Sequence, residues 1–224
     1  MGGRGASSGV RGRGGSGWPS PKVDSTTSLI SERERKRAEV DLTLTVLRDV
    51  EKNYGVILED VQLAKMKKGS TAIAYYAYGG NLAVNESYFD NETMNRAYDA
   101  CVSSGFHPSR GKKSGMEAVV AHEMGHRLTD IAGQKKGYGE WAFGRIDNEI
   151  VATAAKTLGM KHGDLRAKIS GYAQQNNAEC IAEAYADVYC NGGRAKKASR
   201  EVVKELNKYF YQGPSPAPKT KRRK

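Results

Sequence analysis

The sequence predicts an α+β fold in which a small sheet precedes a mostly helical C-terminal part. At 224 residues, 38% hydrophobic and 27% charged, the chain is long enough to bury one core. Strand-like segments are grouped between residues 56 and 85, and helical periodicity appears before and after them. We expect one domain over residues 29–212, with a disordered Gly/Arg/Ser-rich tail over 1–28 and a disordered basic tail over 213–224.

The first predicted helix covers residues 31–53. Val40, Leu44, Leu47 and Val50 recur there at helical spacing among charged neighbours, and Gly55 marks its end.

Strands are predicted next. Residues 56–63 and 70–78 are rich in β-branched and aromatic side chains. The Gly79-Gly80 pair then turns the chain into NLAVN at 81–85, which predicts a sheet that is antiparallel at its end.

The remainder is predicted to be helical, with a polar loop before the second long helix. That helix is expected to end before Gly133. The predicted helices cover residues 92–103, 115–131, 145–160, 176–190 and 195–211.

The net charge of +11 is concentrated in the two tails. Residues 1–22 hold four basic residues and no acid, and residues 213–224 hold five and no acid, so these two segments carry nine of the 11 net charges. Solvated tails are the simpler interpretation, and weak nonspecific contact with nucleic acid is the sharper one.

The cysteines and the apolar segments bear on the compartment. Cys101, Cys180 and Cys190 are an odd number without paired spacing, so we expect three buried free thiols and a reducing environment. We find neither a membrane-spanning stretch nor an apolar signal core, which predicts a protein first folded in a cytoplasm without membrane contact.

The segment HEMGH carries the chemistry. His122 and His126 lie four residues apart, so one helix face can present both rings to a zinc ion. Glu123 is turned by about 100° and can reach a water at the open position of such an ion, as its general base. Gly125 is unfavourable inside a helix, which suggests that another element approaches closely there.

A third ligand is sought in the helix NNAECIAEAYAD. Glu179, Glu183 and Asp187 repeat every four residues between small and apolar neighbours. Either Glu179 binds the metal and Glu183 orients a histidine ligand, or Glu183 binds it and Asp187 is the orienting residue. Spacing alone does not separate these registers. His107 and His162 lie in polar sequence and are expected to be exposed, away from the site.

HEMGH together with YAQQNNAECIAEAYA resembles the HExxH and Y-x6-E-x-x-A-E-x-[FY] segments of the glutamate-ligand branch of the zincin superfamily, especially anthrax lethal factor-like peptidases. The chain also resembles metallopeptidase domains encoded in phage head-morphogenesis (Mu F-like) genes, which often open with a segment like MGGRGASSG. The resemblance covers about residues 70–190.

The resemblance implies a zincin-like fold, in which an edge strand packs on the HExxH helix. It implies Glu179 as third ligand, Glu183 behind it, and Tyr172 as donor to the oxyanion. It also implies that a peptide substrate pairs with the edge strand, for which we expect the residues of NLAVN: Asn81, Leu82, Ala83, Val84 and Asn85.

These features predict a zinc metallopeptidase encoded by a phage or prophage, acting on a protein or peptide in the bacterial cytoplasm or the virion. Phage head or portal proteins are possible partners. Two alternatives remain open: a virion- or DNA-associated structural protein with a zincin fold but no proteolysis, and a toxin-like effector protease.

Overall fold

The computed structural model describes residues 37–58, 60–66, 72–77, 81–138 and 144–211. Both predicted tails and the Gly79-Gly80 turn lie outside the described residues. The fold is mixed α+β and mostly helical, with a three-stranded mixed sheet, as the sequence predicted at that level.

Helix α1 spans Arg37–Tyr54, and the first residues of its predicted range, 31–36, lie outside the described part. It ends at Gly55, whose φ of 65° suits only glycine without strain and whose N–H donates to the Glu51 carbonyl. The buried face is turned slightly from the predicted one. Thr43 and Val46 are buried there, whereas Leu44 and Leu47 are only half-buried.

The sheet consists of β1 (Asp60–Ala64), β2 (Ala74–Ala77) and β3 (Asn81–Asn85), in the order β1-β3-β2. β1 is parallel to β3 and β2 is antiparallel to it. The first strand begins at residue 60, four residues later than predicted. β1 is short because β3 offers only five residues for pairing. The pairing runs from Asp60 opposite Asn81 to Ala64 opposite Asn85.

β3 is the central strand, so the prediction that NLAVN forms the substrate-binding edge is wrong. Both of its sides are paired, by β1 and by β2, and its backbone groups are used within the sheet. Leu82, Ala83, Val84 and Asn85 are buried, which also fits a central position. The antiparallel edge is β2.

Helices α2 (Asn91–Ser103) and α3 (Gly115–Lys135) follow the sheet. α3 starts with a reciprocal cap, in which the Ser114 hydroxyl accepts from the Glu117 N–H and the Glu117 carboxylate accepts from the Ser114 N–H.

α3 passes through Gly133 and ends two residues later, contrary to the prediction. Tyr138 N–H donates to the Gly133 carbonyl and Gly137 N–H to the Gln134 carbonyl, with Gly137 at φ 80°. This is a Schellman cap, and Gly137 is the glycine that stops the helix.

Four helices form the C-terminal part: α4 (Arg145–Thr157), α5 (His162–Ile169), α6 (Asn177–Asn191) and α7 (Lys197–Asn207). The sequence did not predict α5. Its eight residues bury only Leu165 and Ile169, which is too few to produce a visible period.

α3 and α6 pack directly against each other in the core. A Cβ placed on Gly125 would lie 2.7 Å from the Ala182 Cα and 3.2 Å from the Tyr185 Cβ. The close approach expected at Gly125 is therefore confirmed, and it brings the two motif-bearing helices together.

Cys101, Cys180 and Cys190 are buried thiols outside any disulfide, as predicted. Among the helices that the structure describes, none combines the length and apolar character needed to cross a membrane.

Candidate metal centre

The middle of α3 places three potential ligands at one point of the core. His122 and His126 are each 7% exposed and Glu123 is 3% exposed. One ligand atom from each of the three lies within 4.8 Å of the other two. The helix is held rigidly here because almost every residue of its first five turns is buried.

α6 brings Glu179 to the same point from the opposite side. Its Oε2 atom lies 3.3 Å from His122 Nε2 and 3.4 Å from His126 Nε2. Donor atoms of a tetrahedral zinc site, at metal distances of about 2.0 to 2.1 Å, are about 3.3 to 3.4 Å apart. Both distances from the Glu179 oxygen to the histidine nitrogens therefore fit ligands of one zinc ion.

The charges of the cluster also fit a cation. Glu123, Glu179 and Glu183 are at most 3% exposed, and buried carboxylates are costly unless positive charge offsets them. Among the described residues, neither Glu123 Oε2 nor Glu179 Oε2 has a hydrogen-bond partner. Burial lowers the pKa of His122, but Glu179 and Glu183 outweigh it and the pKa lies well above its ordinary value. The cluster thus favours added positive charge, which a divalent cation supplies.

Glu183 lies one turn beyond Glu179 on α6 and contacts the Nδ1 side of the His122 ring. His122 Nδ1 donates to Glu183 Oε1 at 2.7 Å, and the Ser170 hydroxyl donates to Glu183 Oε2 at 2.7 Å. Burial raises the pKa of Glu183, but His107 and His122 outweigh it and lower the pKa. This arrangement is the one expected if Glu179 is the metal ligand, because Glu179 faces both histidines and Glu183 orients one of them.

Asp187 does not orient a histidine, so its predicted place in the site is wrong. Its carboxylate accepts hydrogen bonds from the Asn191 side chain and from the Lys196 N–H, both at 2.9 Å. Asp187 lies one helical turn beyond Glu183 on α6, near the segment that precedes α7. Its hydrogen bond with the Lys196 N–H fixes the start of α7.

Tyr172 lies in a 3₁₀ turn and is 2% exposed. Its ring stacks on the His122 ring, with centroids 5.7 Å apart and planes inclined by 27°. The structure therefore places this predicted residue beside the first histidine.

His107 belongs to the site, and the expectation that it is exposed and remote is wrong. It is 8% exposed, and its Nδ1 lies 2.9 Å from Glu183 Oε1. The partner is 76 residues away along the chain, so no local pattern in the sequence could reveal the contact. His162, at the start of α5, is exposed as expected.

β2 runs beside α3, next to Glu123. Asn85 N–H donates to the Ile73 carbonyl, so by alternation the backbone groups of Ala74 and Tyr76 point away from β3, to the open edge. The Tyr76 N–H donates to the Glu123 carboxylate. The pKa of Glu123 is raised, because burial outweighs the opposing histidines.

The Tyr76 side chain fastens β2 to α3. Its hydroxyl donates to Asp130 at 3.0 Å and accepts from Arg127 at 3.1 Å. Arg127 follows HEMGH directly and Asp130 lies three residues further along α3. The position of the edge strand is therefore fixed relative to the two histidines of HEMGH.

A small cleft opens beside His122, Glu123 and Glu183. One wall is apolar, formed in part by Ile73, Ala74 and Val119, and the other is polar, with His107 and Tyr172 beside His122 and Glu123. The cleft can therefore bring an apolar group next to the histidine and carboxylate side chains.

Fold and site together define a mixed α+β protein with a buried histidine–carboxylate cluster between two packed helices and a strand edge beside it. No family model, no curated protein and no solved structure matches this chain.

Proposed function

We propose that the protein is a zinc-dependent peptidase of zincin type. The observation that carries the proposal is the convergence of His122 Nε2, His126 Nε2 and Glu179 Oε2, the carboxylate oxygen lying 3.3 and 3.4 Å from the two nitrogens. The antiparallel edge beside the HExxH helix adds support, because a peptide can extend a sheet there.

His122, His126 and Glu179 would hold the zinc, and Glu183 fixes the His122 ring through its hydrogen bond with Nδ1. Zinc, when bound, polarises a carbonyl and lowers the pKa of water toward about 7.

Glu123 is the general base. Its carboxylate takes the proton of the attacking water and passes it to the leaving amine, and the Tyr76 N–H keeps it oriented. Its second oxygen, Oε2, has no hydrogen-bond partner among the described residues, so it is available for this proton.

Tyr172 donates its phenolic hydrogen to the carbonyl oxygen as that oxygen gains negative charge. The substrate backbone pairs with the outward-facing N–H and carbonyl of Ala74 and with the carbonyl of Tyr76 on β2, in place of the strand predicted from the sequence, because the Tyr76 N–H is already bonded to Glu123. Ala74 also lines the cleft, so a peptide bound there passes directly over the cluster.

The test combines metal analysis with cleavage profiling. Wild type is expected to bind one zinc and to cut a mixture of denatured proteins, with cleavage sites mapped by mass spectrometry. Glu123→Gln is expected to retain zinc and to lose cleavage, since the carboxylate is needed for proton transfer.

Glu92→Gln is the matched control, because that side chain on α2 is 81% exposed. It should cleave as wild type does. Equal cleavage by Glu123→Gln and wild type would sink the mechanism, and absence of zinc from the wild-type protein would sink the metal site.

A further inference from the structure

We infer that His107 is a positioning residue of the metal centre, acting through Glu183. The inference rests on the proposed zinc site. Its structural basis is that one oxygen atom, Glu183 Oε1, accepts hydrogen bonds from two histidines, His122 Nδ1 at 2.7 Å and His107 Nδ1 at 2.9 Å.

The donors around Glu183 fix its carboxylate completely. An ionised carboxylate only accepts, so both imidazole Nδ1 atoms carry the hydrogen. Ser170 donates to the other oxygen at 2.7 Å. Glu183 is 1% exposed, so removal of one partner leaves a buried carboxylate with one protein hydrogen bond fewer.

His107 is itself held in place by its surroundings. Its ring stacks on Tyr98, with centroids 5.2 Å apart and planes inclined by 7°, and meets the Tyr172 ring edge-on at 5.5 Å. The Tyr98 hydroxyl donates to the carbonyl of Pro108, the next residue. His107 therefore has little freedom to follow Glu183 if the carboxylate moves.

The loop of His107 is also joined to the segment of Tyr172. Gly171 N–H donates to the Gly105 carbonyl and Tyr172 N–H to the Phe106 carbonyl, both at 2.9 Å. The two segments are thus tied to each other by main-chain bonds and to α6 through Glu183. His107 contacts both Tyr172 and Glu183 and therefore joins these segments.

The consequence concerns the ligand His122. Its ring orientation depends on the position of Glu183 Oε1, and that position depends on His107. Loss of a carboxylate partner of a ligand histidine typically costs 10- to 100-fold in metal affinity. His107 is one bond further from the metal, so we expect its loss to weaken zinc binding by about tenfold, the low end of that range.

Two substitutions separate the hydrogen bond from the packing. His107→Phe keeps a ring against Tyr98 but removes the donor, whereas His107→Asn keeps a donor near the position of Nδ1 but removes the ring. Zinc affinity is measured by competition with a chromophoric chelator, and thermal unfolding of the metal-free proteins reports packing. His162→Phe, at an exposed histidine on α5, is the matched control.

We expect His107→Phe to raise the zinc Kd by about tenfold. His107→Asn should stay within about threefold of wild type, although its metal-free form melts lower, and His162→Phe should match wild type. The inference is overturned if His107→Phe binds zinc as wild type does, or if His107→Asn binds as weakly as His107→Phe. Failure of wild type to bind zinc would overturn the proposed function as well.

Discussion

Gly125 on α3 and Ala182 on α6 approach so closely that a Cβ on Gly125 would lie 2.7 Å from the Ala182 Cα. The contact lies one residue before His126 on one helix and one residue before Glu183 on the other. The distance between the histidines and the carboxylates is therefore set by the absence of a side chain at position 125.

Gly125→Ala is expected to destabilise the protein and weaken zinc binding. Alanine favours a helix over glycine by about 1 kcal/mol, but overpacking a core costs about 1 to 3 kcal/mol, and here the new atom meets backbone. Separation of the helices would also move Glu179 away from the histidines. Thermal unfolding and zinc competition measure the two effects.

Gly163→Ala serves as the control for this change. Gly163 lies in α5, and a Cβ there meets nothing within 4 Å, so the substitution should be neutral or stabilising. A Gly125→Ala protein as stable as wild type, with unchanged zinc affinity, would contradict the role given to the close contact.

Glu179→Gln and Glu183→Gln should differ in their effect on zinc. Glu179 faces both histidines, so its loss removes a ligand and should abolish stoichiometric binding. Of the two proposed histidine ligands Glu183 is hydrogen-bonded to His122 alone, through Nδ1, and its loss should weaken zinc binding by about 10- to 100-fold. Equilibrium dialysis against buffered zinc resolves the two cases, and the reverse order of effects would assign the ligand to Glu183.

Tyr172→Phe should lower kcat and leave zinc content unchanged. Phenylalanine retains the ring that stacks on His122 but removes the proposed donor to the carbonyl oxygen. Loss of one such donor costs about 10²- to 10³-fold in kcat. Kinetics on a peptide taken from the mapped cleavage sites measure this. A proportional rise in KM with kcat unchanged would instead indicate a role in substrate binding.

Tyr54 should contribute to a loss of stability in alkali. Burial, assisted by Tyr211, raises the pKa of Tyr54 from 10.0 to about 12. The unfolded chain therefore releases this proton at lower pH than the folded protein does. The stabilisation is complete below pH 10.0 and is lost as the pH rises to about 12.

The free energy of unfolding in urea, compared between wild type and Tyr54→Phe at about pH 8 and about pH 11, tests this. Wild type should be the more stable at the lower pH, where the Tyr54 hydroxyl donates to Asn207. Its advantage should shrink at the higher pH. A difference that does not change with pH would contradict the assigned shift.

The parts of this molecule that the sequence predicted are those set by local pattern. α2 and α6 lie close to their predicted bounds, because their apolar residues recur at helical spacing over several turns. Gly125 was informative for the same reason, since a glycine within a helical pattern needs a local explanation.

The parts that the sequence did not predict depend on contacts between distant segments. The central position of β3 follows from its parallel pairing with β1, which no pattern within NLAVN reports. His107 lies in a polar loop sequence, and its partner Glu183 is 76 residues away along the chain, so no local pattern indicates the contact. The positions of Glu179 and Glu183 relative to the histidines likewise depend on the packing of α6 on α3, since both alternatives have the same spacing in the sequence.

The proposed zinc ligands lie on two helices, α3 and α6, that are separated in the sequence and are therefore synthesised at different times. A growing chain that has reached the end of α5 contains both histidines and the general base, but neither Glu179 nor Glu183. The centre can be completed only after α6 has left the ribosome and docked at Gly125. Under the proposed assignment zinc would shift the folding equilibrium of the domain, because it would bind a state that a chain ending before α6 cannot form.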